Sequence, residues 1–313
     1  MRLAVLCSPE SWYLSDLRRA AAGRHEIVVV AYPQIAAYVR GVTNVNGTAS
    51  VDRSGGGAVR RTQVRCSGVP LDEFDVVLVR TMPQGSLEQV VFRMDALARL
   101  EAAGRPIVNS PRSIEIAVDK FLASALLVEA GLDHPETVVC QTVDEAMQAF
   151  AALGGDVVVK PLFGAEGRGI ARVSDEAIAL RVFKSLVPLG SVLYLQRFVP
   201  HDGYDIRAFV LGERTFGMKR VSATDWRTNV SRGATTEPFA LDAEMVDFAR
   251  RAAAATGATM AGVDILIGRD GRCYVIEVNA VPGWQALSRT LGVDVAAIVL
   301  EELSRRAAEQ RPY

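Results

Sequence analysis

The segment VDILIGRDGRCYVIEVNAVPG, residues 263–283, holds the clearest grouping of chemically able side chains. Asp270-Gly271 is a favoured pair for a two-residue type I′ turn, which would set Arg269 opposite Arg272. Counting outward places Asp264 opposite Glu277, while Val263, Ile265, Ile276 and Val278 point to the other face of the sheet. Asn279, two residues beyond Glu277, shares its face. Two carboxylates set directly opposite each other repel unless something compensates. With an amide oxygen beside them they suit a hard cation, Mg²⁺ or Mn²⁺, shared with phosphates. An ordinary polar sheet face is the competing reading.

Two further stretches carry cations. In VVVKPLFGAEGRGIA (157–171), a β-branched strand delivers Lys160 into a loop with Gly164, Gly167 and Gly169. Glycines let backbone N–H groups close on phosphate oxygens as an anion-binding nest. The spacing is not that of a P-loop, and a plain glycine-rich hairpin with a solvated lysine accounts for the pattern nearly as well. In YDIRAFVLGERTFGMKRV (204–221), a turn at Gly212-Glu213 pairs Leu211 with Arg214 and therefore Asp205 with Arg220. Asp205 and Arg207 then share a face with Met218 and Arg220. A cross-strand salt bridge worth less than ~1 kcal/mol is one explanation. Two fixed guanidiniums facing a transferring phosphoryl or carboxylate group is the other. The following DWRTNVSRG adds Arg227, Asn229, Arg232 and Gly233 in a polar loop.

These groups need a scaffold, and the composition supplies one. The chain has 313 residues, 50% hydrophobic and 23% charged, with a net charge of -1. That is globular composition, long enough for about two domains, and far from the disordered regime. Near-neutral charge gives no electrostatic footprint for nucleic acid. The longest apolar run, 114–132, is broken by Glu115, Asp119, Lys120 and Glu129, so no membrane partner is expected. The apolar N-terminal stretch is too short for a signal-peptide core. Cys7, Cys66, Cys140 and Cys273 form no CxxC pair and read as free thiols in a reducing, cytoplasmic setting. With three scattered histidines, any metal would take oxygen ligands.

The N-terminal third alternates strands (2–7, 26–31, 75–79, 106–109) with helices. Between the second and third strands, Asn44 to Gly57 is polar and glycine-rich, a loop or hairpin. A helix begins at Ser86, which forms a capping box with Gln89. Its apolar positions are Leu87, Val90, Val91, Met94, Leu97 and Leu100, and Gly104 ends it. No GxGxxG follows a strand, so a dinucleotide site is not supported. Beyond Ser110-Pro111, a helix over 113–129 precedes strands at 137–140, 156–160, 170–173, 192–199, 204–211 and 214–221. Helices at 143–153 and from Asp175, an Ala-rich helix, the carboxylate hairpin and a C-terminal helix complete an α/β and α+β chain.

The order Lys120, Lys160 with its glycine loop, LQRFV, DIR, WRTNVSRG, GVDIL and EVN with a following PG resembles the RimK-like branch of the ATP-grasp carboxylate–amine ligases. The resemblance covers roughly residues 75 to 300. The stretch VRTMPQGSLEQVVFRMDALARLEAAGRPIVNSPRSIEIAVDKF is similar to the subgroup that adds glutamate to tetrahydromethanopterin. It implies an ATP-grasp fold with an N-terminal α/β domain (1–110), a lid subdomain (111–195) and a C-terminal subdomain with the metal site (196–313). It implies ATP and Mg²⁺ or Mn²⁺, two ions, with Asp264, Glu277 and Asn279 as ligands. Lys120, Lys160 and Gly167 would hold phosphates. Gln196, Arg197, Phe198 and Val199 would form the adenine hinge, and Asp205, Arg227, Thr228 and Asn229 would contact nucleotide. Arg197 stands where the family usually has Glu. Arg207 and Arg220 would stabilise charge on the transferring phosphoryl group. The implied partners are a small-molecule carboxylate acceptor and an amino acid, L-glutamate, with a homo-oligomer left open. Trp284 would border the acceptor and stack on a flat ring, or else anchor its loop. Another acceptor, a protein carboxylate included, and a non-catalytic ATP-binding module are the alternatives.

Overall fold

Runs of aliphatic and β-branched residues form the first sheet, its central strands buried on both faces. The computed structural model describes residues 1–39, 62–164 and 168–309. Two compact units emerge, the described residues of Met1–Pro111 with Ala296–Tyr313, and Arg112–Val295. In the first unit, β1 (Arg2–Leu6), β2 (Glu26–Val30), β6 (Val76–Val79) and β7 (Ile107–Val108) make a parallel sheet in the order β2-β1-β6-β7. Leu3 to Leu6 and all of β6 are buried, as the near-continuous apolar runs of a covered parallel sheet require. Between them, β3 (Ile35–Val39), β4 (Thr62–Cys66) and β5 (Val69–Pro70) form a small antiparallel sheet. The glycine-rich stretch Asn44 to Gly57 lies outside the described residues.

Helix α1 (Trp12–Ala21) buries Leu14, Leu17, Ala20 and Ala21. Helix α2 (Leu87–Ala102) starts at the expected capping box, with Ser86 and Gln89 exchanging side-chain and backbone hydrogen bonds. Its buried face differs from the expected one. Arg93, Ala96, Leu97 and Leu100 turn inward, whereas Leu87, Val91 and Phe92 are exposed. Arg93 fixes that rotation by donating to the Pro83 carbonyl and lying over the Tyr32 ring.

The second unit opens with a departure. Instead of one helix over 113–129, α3 (Pro111–Val118) and α4 (Lys120–Glu129) are separated at Asp119. The Asp119 carboxylate accepts from the N–H groups of Phe121 and Leu122, competing with the helical bonds of its own turn. Lys120 thereby becomes the first residue of a helix. Strands β8 (Thr137–Cys140), β9 (Val157–Lys160), β10 (Ala171–Val173) and β11 (Leu193–Arg197) form an antiparallel sheet in the order β10-β9-β11-β8. Helices α5 (Val143–Ala152) and α6 (Glu176–Leu186) cover it through Ala146, Phe150, Ala179 and Phe183.

A five-stranded antiparallel sheet follows, from β12 (Tyr204–Leu211), β13 (Arg214–Val221), β14 (Thr235–Pro238), β15 (Met260–Ile267) and β16 (Cys273–Asn279), in the order β14-β13-β12-β15-β16. Helix α7 (Ala243–Ala255) packs on it, and α8 (Gln285–Leu291) follows the last strand. From Ala296 onward, α9 (Val295–Glu309) clusters with the first unit, although at sequence level residues 296–313 stood with the C-terminal subdomain. Its apolar stripe, Ala296, Val299, Leu300 and Leu303, is buried there.

Trp284 settles on packing. It is fully buried at the N-terminus of α8, so its indole has no face to offer a ligand. Trp284→Ala is expected to cost about 3–5 kcal/mol of unfolding free energy, read from the urea midpoint, with the KM for ATP unchanged.

Candidate active site

The two-residue connection Gly212-Glu213 sets the register of β12 and β13 as expected, with Leu211 opposite Arg214 and Asp205 opposite Arg220. On its other edge β12 pairs with β15, bringing Arg207 opposite Asp264. Four charges therefore converge. Arg220 donates through Nε to Asp205 Oδ1 (2.7 Å), and its Nη2 lies 2.9 Å from Asp264 Oδ2. Arg207 donates through Nη2 to Asp264 Oδ2 (3.0 Å) and pairs with Oδ1 through Nε. Thr228 Oγ1 donates to Asp205 Oδ2 (2.6 Å). Asp205, Arg220 and Asp264 are each less than 5% exposed.

This is no surface salt bridge. Burial of an unpaired carboxylate or guanidinium would be prohibitive, and the quartet is formally neutral. Burial pulls the Asp264 carboxyl upward, but Arg207 and Arg220 together outweigh it and hold the group below its usual range. For Asp205 burial wins over Arg220, and its carboxyl is raised. Burial disfavours the Arg220 charge, yet Asp264 and Asp205 hold it more firmly protonated than usual. The Arg207 side chain crosses over Gly262, where any Cβ would collide with its guanidinium.

The carboxylate hairpin reaches the expected pairing by another route. The turn is not a two-residue one: Gly268 N–H donates to the Arg272 carbonyl (2.9 Å) and Gly271 N–H to the Gly268 carbonyl (2.9 Å), with Gly271 at φ +78°. The Asp270 carboxylate stabilises this loop by accepting from Arg272 N–H and Tyr274 Oη. Ile267, Leu266 and Ile265 then face Cys273, Tyr274 and Val275, one residue out of the expected register. A β-bulge at Ile276 restores it, so Asp264 does face Glu277, and Gly262 faces Asn279. Ile276, expected on the opposite face, instead lines the same cleft as Glu277 and packs with Leu266 and Tyr274. Asn279 Oδ1 accepts from Val281 N–H (2.8 Å).

The cleft lies between the two sheets of the second unit. Its walls include Lys160, Gln196, Arg197, Phe198, Val199, Asp205, Arg220, Arg227, Thr228, Asn229, Asp264 and Glu277. Lys120, Arg207 and Asn279 do not line it, and Gly167 lies outside the described residues. Lys120 Nζ donates to the Gly164 carbonyl (3.0 Å), tying α4 to the loop after β9. Burial lowers the Lys120 ammonium pKa, opposed by the Glu277 charge. Lys160 is pushed down to about 8 by burial, again opposed by Glu277. Arg197 turns its guanidinium to Glu136 (3.6 Å). The Phe198 ring is covered by Arg172 at 3.5 Å and meets Trp226 edge-on.

Sequence reasoning missed the apolar walls: Val158, Ile170, Leu266, Ile276 and Trp226. Val158 was readable, since it shares the face of Lys160 by strand alternation. Ile276 was not, because a bulge has no fixed sequence signature. Together the charged end and the apolar slot fit a nucleotide, with a flat base between aliphatic side chains and phosphates near Lys160. For a divalent cation, Asp264, Glu277 and Asn279 present oxygen donors on paired strands, which fits in kind, although Asp264 is held by two guanidiniums. Among the described residues no three His, Cys, Asp or Glu side chains cluster around a metal position.

Residues 117–303 match the RimK-like ATP-grasp domain. The chain belongs to that family. It is an ATP-dependent ligase of the ATP-grasp fold. Among its relatives, the tetrahydromethanopterin:alpha-L-glutamate ligase of Methanosarcina acetivorans is 34% identical over 271 residues, 77% of this chain and 83% of that one. The enzyme of the same name from Methanococcus maripaludis is 38% identical over 239 residues, 74% and 79% of the two chains. In fold, the ATP-grasp ligase PsnB in complex with a minimal precursor superposes with a TM-score of 0.73 at 21% identity, covering 97% of this RimK-like chain and 98% of that one.

The electrostatics make two expectations concrete. Arg220→Leu leaves buried Asp205 without a guanidinium and Asp264 with Arg207 alone, and should cost about 3–5 kcal/mol in chemical denaturation. His134 is held neutral to about pH 4, first by burial and then by Lys160. The unfolded chain takes up that proton near pH 6.5 and the folded one only near 4, so stability should fall as pH drops through this window, by on the order of 1–3 kcal/mol. His134→Asn should flatten that slope.

Proposed function

We propose that this ligase joins the amino group of L-glutamate to a carboxylate of a pterin-type one-carbon carrier similar to tetrahydromethanopterin. The acceptor and the amino acid rest on the relatives, because Trp284 is buried and lends no ring to an acceptor. The observation that carries the ligase chemistry is one cleft holding Lys160, Arg220 and Glu277 at its charged end, with an apolar slot beside them. In this reading the sheet of β8 to β11 serves as the lid, and that of β12 to β16 bears the cation ligands. The four free cysteines suit a cytoplasmic setting, and no helix among the described residues is long and apolar enough to cross a membrane.

An acceptor carboxylate oxygen attacks the γ-phosphorus of ATP, releasing ADP and leaving an acyl phosphate. The glutamate amine then attacks the acyl carbon, phosphate leaves, and the amine proton goes to solvent. Phosphoryl transfer of this kind depends on positioning and charge stabilisation more than on a general base. Lys160 and Lys120 supply positive charge to the phosphates, while Arg227, Thr228 and Asn229 border the nucleotide. Arg207 and Arg220 are placed to stabilise charge on the transferring group. Mg²⁺ or Mn²⁺ held by Asp264, Glu277 and Asn279 would neutralise phosphate oxygens there.

ADP formation measured with matched acid–amine pairs tests the reading. Sustained ADP turnover should require a pterin carboxylate and L-glutamate together, with the glutamyl amide found by mass spectrometry. Turnover with a protein or peptide carboxylate instead would relocate the acceptor, and sustained ADP turnover with ATP alone, unaffected by acid or amine and yielding no amide, would remove this reading. Glu277→Gln should cut turnover by on the order of 10²–10³ with little change in melting temperature. Wild-type turnover at saturating Mg²⁺ would exclude Glu277 as a ligand.

A further inference from the structure

We infer that Gln196 is a positioning residue for Lys160, held in a single orientation by a one-way chain of hydrogen bonds that runs back to the helix carrying Lys120. Gln196 is 3% exposed, and its side chain turns into the protein. Its Oε1 accepts from Lys160 Nζ at 2.6 Å. An ammonium can only donate, so the amide oxygen must face Lys160 and the NH₂ group must face the other way. There it meets Thr137 Oγ1 (3.1 Å), His134 Nε2 (3.2 Å) and Tyr194 Oη (3.3 Å).

The two protons of the NH₂ group are shared among these three contacts, so none of those atoms can donate to it, and for the two hydroxyls the neighbouring bonds show where their own protons go. Thr137 spends its proton on the Pro135 carbonyl (2.8 Å). Ser124 spends its own on the Lys120 carbonyl (2.6 Å), so in the 2.8 Å contact between Ser124 Oγ and Tyr194 Oη the tyrosine donates. The Tyr194 oxygen is then left to accept from Gln196. His134 Nε2 faces the same NH₂ group, which can only donate, so the neutral tautomer with its proton on Nδ1 completes the arrangement. Through Tyr194 and Ser124 the protons point away from Lys160 to the Lys120 carbonyl, while Thr137 turns its own to the Pro135 carbonyl. Bonds aligned in one sense polarise one another, and a flipped Gln196 amide would set NH₂ against the ammonium. Lys160 is a long, flexible side chain with rotamer entropy to lose, and Gln196 removes that freedom before a ligand arrives.

This inference rests on Lys160 meeting nucleotide phosphates, and two measurements separate the two claims. In the nucleotide-free protein, Gln196→Leu should lower the NMR order parameter of the Lys160 Cε, with Tyr194→Phe giving a smaller drop in the same direction. Unchanged order in both variants overturns the positioning role. In titrations with MgADP, Gln196→Leu should weaken binding about tenfold. It should add less than about twofold in a Lys160→Met background, since partners in one network are not additive. An equal penalty in both backgrounds would mean that Gln196 acts on the nucleotide or the fold directly, and would also overturn the inference. If Lys160→Met leaves MgADP affinity intact, the phosphate role of Lys160 fails, and the order parameter alone decides the role of Gln196. If Gln196→Leu does not fold, Tyr194→Phe and Thr137→Val carry the same two measurements.

Discussion

Four formal charges share one buried patch of sheet, and the candidate active site is built around the need to keep them neutral together. Asp205, Arg220, Asp264 and Arg207 alternate in sign across strands β13, β12 and β15. None could be buried alone, because the desolvation of one unpaired ion exceeds the whole stability of an ordinary domain. The pairing forces the register of three strands, since a slip of one residue would send every member to the opposite face. It also dictates Gly262, whose missing side chain lets Arg207 reach Asp264. A neutral and rigid base of this kind leaves Glu277 as the carboxylate balanced at longer range, in the fields of Lys120 and Lys160.

The two lysines are held in different ways with related effect. Asp119 breaks a helix so that Lys120 starts α4, where its ammonium ties down the loop after β9. Lys160 leaves a buried strand into a polar network of Gln196, Thr137, Tyr194 and His134. Burial weakens the hold of both lysines on their protons, and the Glu277 charge opposes it in each case. An incoming polyphosphate would restore what burial removes. That balance suits an ATP-grasp enzyme, in which anion binding and catalysis use the same cations.

Much of the fold was legible because local chemistry announced it. The Ser86 capping box, the Gly212-Glu213 hairpin and the buried runs of β1 and β6 all appear where residue types placed them. The pairing of Asp264 with Glu277 also appears, but by compensation: a three-residue loop shifts the strands one way and the bulge at Ile276 shifts them back. Alternation counting sees only the sum of such shifts. It therefore put Ile276 on the wrong face while placing Glu277 correctly. The α2 face was misread for a similar reason, since Arg93 found partners in Pro83 and Tyr32 that its own helix does not contain.

The sequence by itself determined which groups were available for chemistry and, through hairpin turns and strand period, which of them would share a face. Those are short-range properties, set by residues within one or two turns of each other. Only the tertiary structure decided how the groups are used. It turned the Gln196 side chain inward to Lys160 and closed Asp264 between two arginines from β12 and β13. It also buried Trp284 completely at the start of α8. Each of these outcomes depends on partners far away in the chain. Their competition for the same polar atom, or for the same buried volume, is resolved only when the layers pack.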